Sequence, residues 1–216
     1  MDKVLLLFII GGLIGFQIYK SNSLKKNIEH LLIEWEVNTM YRDEILNVIV
    51  NREYRDNIKY LLAIGKVESG FDKFALGDPH AGYSYGYFQI NLNDGPNHDK
   101  ISTLEMAIRE DKGEYSELAN PSIIKEEMVK IRRGEKSFLH DTEIQFHLAN
   151  NIINIAKKQI KGQGYPIKSE YIAYMWNAGV YSKMSNFNDW AFSRNYLEKF
   201  NKAYQEVEEA LNKIFS

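Results

Sequence analysis

The sequence predicts a mainly α-helical protein with one small β-hairpin or loop region, preceded by an amino-terminal transmembrane helix. Three observations carry this. Apolar residues recur three and four apart through most of the chain after residue 31, as in Ile144, Leu148, Ile152 and Ile155. Helix-starting and helix-stopping residues bracket those runs. One stretch, residues 82–93, breaks the pattern with glycines and aromatics. A single strongly apolar run, VLLLFIIGGLIGFQIY, occupies residues 4–19.

That run comes first. As a helix it would reach roughly 24 Å, against a bilayer core of about 30 Å. Thinning of the bilayer or snorkelling by Lys3 and Lys20 closes the gap. A cleaved signal peptide and a retained anchor are the two readings, and the anchor is preferred because KSNSLKK lacks a clear small-x-small cleavage site behind the apolar core. Gly11 and Gly15 form GxxxG, which lets two helices pack closely as a homodimer; glycines merely tolerated in a membrane helix are the plainer reading. Lys20, Lys25 and Lys26 follow the span while Lys3 precedes it, and the positive-inside rule then leaves the main domain in the cytoplasm.

Residues 1–30 are read as anchor and linker, with residues 20–30 a linker or the start of a helix, and residues 31–216 as one α-rich domain. Asp56 is the expected N-cap of a helix running to Ser69 and stopped by Gly70. Ser102 and Glu105 make a capping box. Asn120 with Pro121 opens SIIKEEMVKIRR. Asp141 opens a long helix closed by Gly162, and residues 168–177 form a shorter one ended near Gly179. Ser193 is the expected cap of a last helix whose stripe is Tyr196, Phe200, Ala203, Val207, Leu211 and Phe215.

Composition narrows the function. The 216 residues carry a net charge of −2, so a general nucleic-acid binder is disfavoured. There is no cysteine, which excludes thiolate metal sites and disulfides, and the five histidines form no HExxH. No metal site is expected from these patterns.

The chemistry centres on KVESGFDKFALGDPHAGYSYGYFQINL, residues 66–92. On the first helix Ile58, Leu61, Leu62 and Gly65 share one side, and Glu68 falls between the directions of Leu61 and Ile64. A carboxyl at the edge of an apolar stripe loses hydration, which raises its pKa and suits it to donate a proton near neutral pH. The plainer alternative is a glutamate whose stem packs while its head reaches solvent.

The surroundings favour chemistry. ESGF at 68–71, SYGYFQI at 84–90 and AYMWNAG at 173–179 resemble, in order, three signatures of the lytic transglycosylases of the goose-type lysozyme-like family. SRNYLEKF at 193–200 resembles that family's late tyrosine motif and points to Tyr196. The resemblance covers residues 68–200. It implies a lysozyme-like domain and cleavage of the β-1,4 bond between N-acetylmuramic acid and N-acetylglucosamine in peptidoglycan. It implies one catalytic acid, Glu68, no carboxylate nucleophile, and a 1,6-anhydromuramoyl product formed with help from the substrate's N-acetyl group. Such acid–base chemistry needs no cofactor. It places the domain outside the cytoplasm, on a bacterial inner membrane facing the periplasm or in a bacteriophage virion membrane. The first site opposes the charge rule and the second does not. Peptidoglycan strands and an envelope machine or virion proteins are the partners it implies.

Other residues have roles and alternatives. Ser69 and Gln89 can bond N-acetyl or hydroxyl groups, or serve as a local cap and a satisfied core amide. Asn177 can orient an N-acetyl group, or sit as a turn residue. Tyr196 can bond near Glu68, or begin an amphipathic helix. Tyr83, Tyr85, Tyr87 and Trp176 offer faces for sugar stacking, or pack in the core. Two departures stand out: GDPHAGYS lengthens the step from Glu68 to Gln89, and residues 91–138 form a charged insert. Asp72 and Asp78 keep open a muramidase or chitinase that positions water, and a glycan-binding morphogenesis protein without catalysis is the third reading.

Overall fold

The computed structural model describes residues 22–50, 54–77, 84–91, 107, 121–193 and 195–213. The apolar run 4–19, the Ser102–Glu105 capping box, the Asn120 cap, Asp78, Tyr83 and Phe215 lie outside the described residues. Among the described residues no helix is long and apolar enough to cross a membrane.

The described residues are mainly helical, with one short two-stranded sheet. Helix α1 spans residues 22–34 and buries Ile28, Leu31 and Leu32. Packing of the domain therefore begins ahead of residue 31, within the stretch read as linker or helix start. Helix α2, Thr39–Ile49, is capped by Asn38, whose side chain accepts from the Met40 N–H.

Helix α3, Ile58–Ser69, carries Glu68. Its cap position falls on Asn57 rather than Asp56. Asn57 makes no local capping bond. Its carboxamide donates to Asn150 at 2.6 Å and Asn154 at 2.9 Å and accepts from Lys157, so a tertiary network displaces the local cap. Gly70, at φ 62°, ends the helix as expected.

Strands β1, Ser84–Tyr85, and β2, Ile90–Asn91, pair antiparallel with Ser84 opposite Asn91 and Tyr85 opposite Ile90. Helix α4, Pro121–Arg132, is tied to the following turn by buried Glu127, which accepts from Ser137 Oγ and the Phe138 N–H. The described part of the expected insert thus puts Ile131 into the core. A 3-10 turn, Phe138–His140, leads to α5, Thr142–Gly162, where Asp141 accepts from the Glu143 and Ile144 N–H groups as its cap spacing predicts. Helix α6, Ser169–Ala178, stops at Gly179.

The carboxyl end differs from expectation. Ser193 is the last residue of a separate short helix, α7, Phe187–Ser193, and α8 is Asn195–Asn212. Trp190 packs on Tyr174 at 5.2 Å and Phe187 at 6.1 Å, which ties this segment of about two turns to α6. The amphipathic stripe itself is as read: Phe200, Ala203, Val207 and Leu211 are buried. Helix α3 lies along α8 in the most extensive helix pairing among the described residues and also touches α5 and α6. Lys59 bridges to Glu208 across the α3–α8 seam, and Trp35 donates to Glu206 from the other flank of α8.

Candidate active site

Glu68 sits in the last turn of α3, where three segments distant in sequence converge. The β1–β2 hairpin approaches from one side, the end of α6 from another, and the start of α8 supplies Tyr196. The resulting open cleft holds about 440 Å³. Glu68, Gln89, Asn91, Trp176 and Asn177 line it, and Glu68 is its one carboxyl among the described residues. A larger groove of about 930 Å³, walled mainly by Phe74, Leu76, Ile131, Phe138 and Ile144, does not include Glu68.

The Glu68 carboxyl accepts a 2.6 Å bond from the Tyr196 hydroxyl. Burial pushes its pKa up to about 7, against the pull of the Tyr196 hydrogen bond and, after it, of the neighbouring Trp176 indole, which favour the carboxylate. Desolvation wins, so the group exchanges its proton near neutrality. Burial, with Glu68 beside it, pushes the Tyr196 phenol well above its ordinary value and keeps it a donor.

The turn carrying Glu68 is tightly fixed. Phe71 has φ 63°, an uncommon backbone conformation for an aromatic residue, yet its ring is almost fully buried. That ring lies against Gly65: a β-carbon there would stand 2.5 Å from Phe71 Cε1 and 2.6 Å from Cζ. The Ser69 hydroxyl donates to the Tyr87 carbonyl at 2.7 Å and accepts from the Asp72 N–H at 3.2 Å. Ser69 therefore joins the helix end to the hairpin and does not line the cleft, which corrects its expected contact with substrate.

Gln89, at φ 47°, is held by bonds of 3.1 Å from its Nε2 to the Ala75 and Gly86 carbonyls. Its carboxamide leans over Gly77, where a β-carbon would collide with Oε1. Asn177 is exposed, and its Oδ1 accepts from the Trp190 indole at 3.1 Å. Trp176 is half-buried, lines the cleft and meets Phe88 edge-on at 6.3 Å. Tyr85 and Tyr87 are 2% and 0% exposed, so their expected role as stacking faces for sugar is corrected: both rings belong to the core. Tyr87 meets Phe71, Phe88 and Phe146. The Asp72 carboxylate accepts from the Phe74 N–H and does not line the cleft.

Two supporting residues escaped the sequence reading. Gln145, buried on α5, accepts from the Tyr87 N–H at 2.8 Å. Its carboxamide occupies the space a β-carbon on Gly86 would need, and Gly86 has φ 71°. The signal was a polar residue in register with Ala149 and Ile152 on a buried stripe. Trp190 lies outside every motif and carried no signal. Among the described residues no group of three or more His, Asp or Glu is placed to hold a metal ion. The chain matches no family model, no curated protein and no solved structure.

Proposed function

We propose that the protein is a peptidoglycan lytic transglycosylase that opens the cell wall locally. The observation that carries this is a single half-buried glutamic acid, titrating near neutrality, at the wall of an open cleft bordered by amide and indole groups. The four motif resemblances at Glu68, Gln89, Asn177 and Tyr196 add the substrate class.

The Glu68 carboxyl gives its proton to the glycosidic oxygen as the bond from that oxygen to the muramoyl C1 breaks. The carbonyl oxygen of the substrate's own 2-acetamido group closes on C1 and takes the positive charge. Glu68, now a carboxylate, removes the proton of the C6 hydroxyl. That oxygen attacks C1, the acetamido oxygen leaves, and the 1,6-anhydro ring is closed with Glu68 again protonated. Tyr196 holds the carboxyl in place through both proton transfers. One carboxyl suffices because no water molecule is activated.

The test is the mass of the products. The full-length chain, purified in detergent and incubated with peptidoglycan sacculi, is expected to release 1,6-anhydromuropeptides. Reducing-end muropeptides instead mean a hydrolase. Glu68→Gln is expected to lower turnover by about 10²–10⁴-fold with the fold retained. A parent protein without turnover leaves only glycan binding and ends the enzymatic reading.

A further inference from the structure

We propose that Trp190 is a positioning residue for the Glu68 cleft, acting through Asn177; the role rests on reading the cleft as a glycosidase site. An indole nitrogen can only donate. Its 3.1 Å bond to Asn177 therefore fixes the amide oxygen toward Trp190 and turns the NH2 group away from it. Asn177 is exposed and lines the cleft, so it presents donors there.

Gln89 is set the other way. Its Nε2 directs its hydrogens to the Ala75 and Gly86 carbonyls, and its Oε1 remains as the acceptor of a cleft-lining side chain. The cleft thus offers one amide donor and one amide acceptor whose polarities the protein itself fixes. A ligand carrying a secondary amide, with one N–H and one C=O, complements both.

Trp190 is itself immobilised. It is 9% exposed and packed on Tyr174 and Phe187. Its ring also meets Tyr196 at 6.2 Å, so one side chain braces the donor to Glu68 and the amide beside it.

The test is a double-mutant cycle of Trp190→Phe and Asn177→Ala, read as kcat/KM on peptidoglycan alongside thermal unfolding. Phenylalanine keeps a ring in the aromatic cluster and removes the indole donor. Trp190→Phe is expected to lower kcat/KM about five- to tenfold. Asn177→Ala is expected to lower it at least as far, and the double variant no further than Asn177→Ala alone. Losses that add, or a Trp190→Phe variant equal to the parent, overturn the role. Asn177→Asp covers the case in which Trp190→Phe does not fold: it keeps the oxygen that Trp190 binds but loses the NH2 group. It is expected to be as impaired as Asn177→Ala, and parental kcat/KM in that variant overturns the proposal. A parent without turnover sinks the cleft reading and this role together; an active parent with additive losses sinks this role alone.

Discussion

At the scale of single residues, the burial that suits Glu68 to the proposed proton transfer also destabilises the fold when the carboxyl is ionised. Its folded pKa, about 7, exceeds the ordinary 4.5, so the folded state keeps a proton that the unfolded chain releases. Stability is therefore intact below pH 4.5 and falls as pH rises through 7, above which the destabilisation by the ionised carboxyl is complete. Glu68→Gln removes this dependence. The variant is expected to be more stable than the parent at pH 8 by up to about 3 kcal/mol and equal to it at pH 4. Urea unfolding at both pH values checks this; equal stability at pH 8 contradicts the desolvated carboxyl. Tyr196 tests the opposing influence. Its hydrogen bond lowers the Glu68 pKa, so Tyr196→Phe is expected to move the alkaline limb of the rate profile to higher pH. A limb that stays put, or moves down, shows that Tyr196 does not stabilise the carboxylate.

At the scale of elements, the hairpin turn is held from behind by α5. Gln145 bonds the Tyr87 N–H and fills the space beside Gly86. Gln145→Ala leaves that buried N–H without its partner, and an unsatisfied buried amide costs about 1–3 kcal/mol. The variant is expected to lose that much stability in thermal unfolding and to lose turnover as well, because the same turn carries Gln89. Stability lost with turnover kept would mean that the turn's geometry is immaterial to the cleft. Helix ends set by local chemistry were legible in the sequence: Gly70, Asp141 and the close of α6 at Gly179 all follow from spacing and cap residues. The Asn57 cap and the separate α7 were not. Asn57 bonds Asn150 on α5 and Trp190 packs on Tyr174 of α6, and local spacing carries no record of such contacts.

At the scale of the whole molecule, residues 68, 89, 177 and 196 become one site only because α3 is pinned against α8 and α6 while the hairpin closes over its end. Their residue types and order were legible as motifs. Which side chains face the cleft was not, because Ser69, Tyr85 and Tyr87 carry equally suitable chemistry, yet Ser69 is tied to the Tyr87 carbonyl, Tyr85 is buried, and Tyr87 packs against Phe88 and Phe146. The Phe71 ring over Gly65 extends this to tolerance of change. In a saturation survey scored by wall lysis, position 65 is expected to be about as closed to substitution as position 68, although it bears no reactive group. Alanine there already displaces the ring and with it the clasp that aims the acid, so a lytic Gly65→Ala variant would disprove the constraint. A side chain that is missing governs the proton as firmly as the one that holds it.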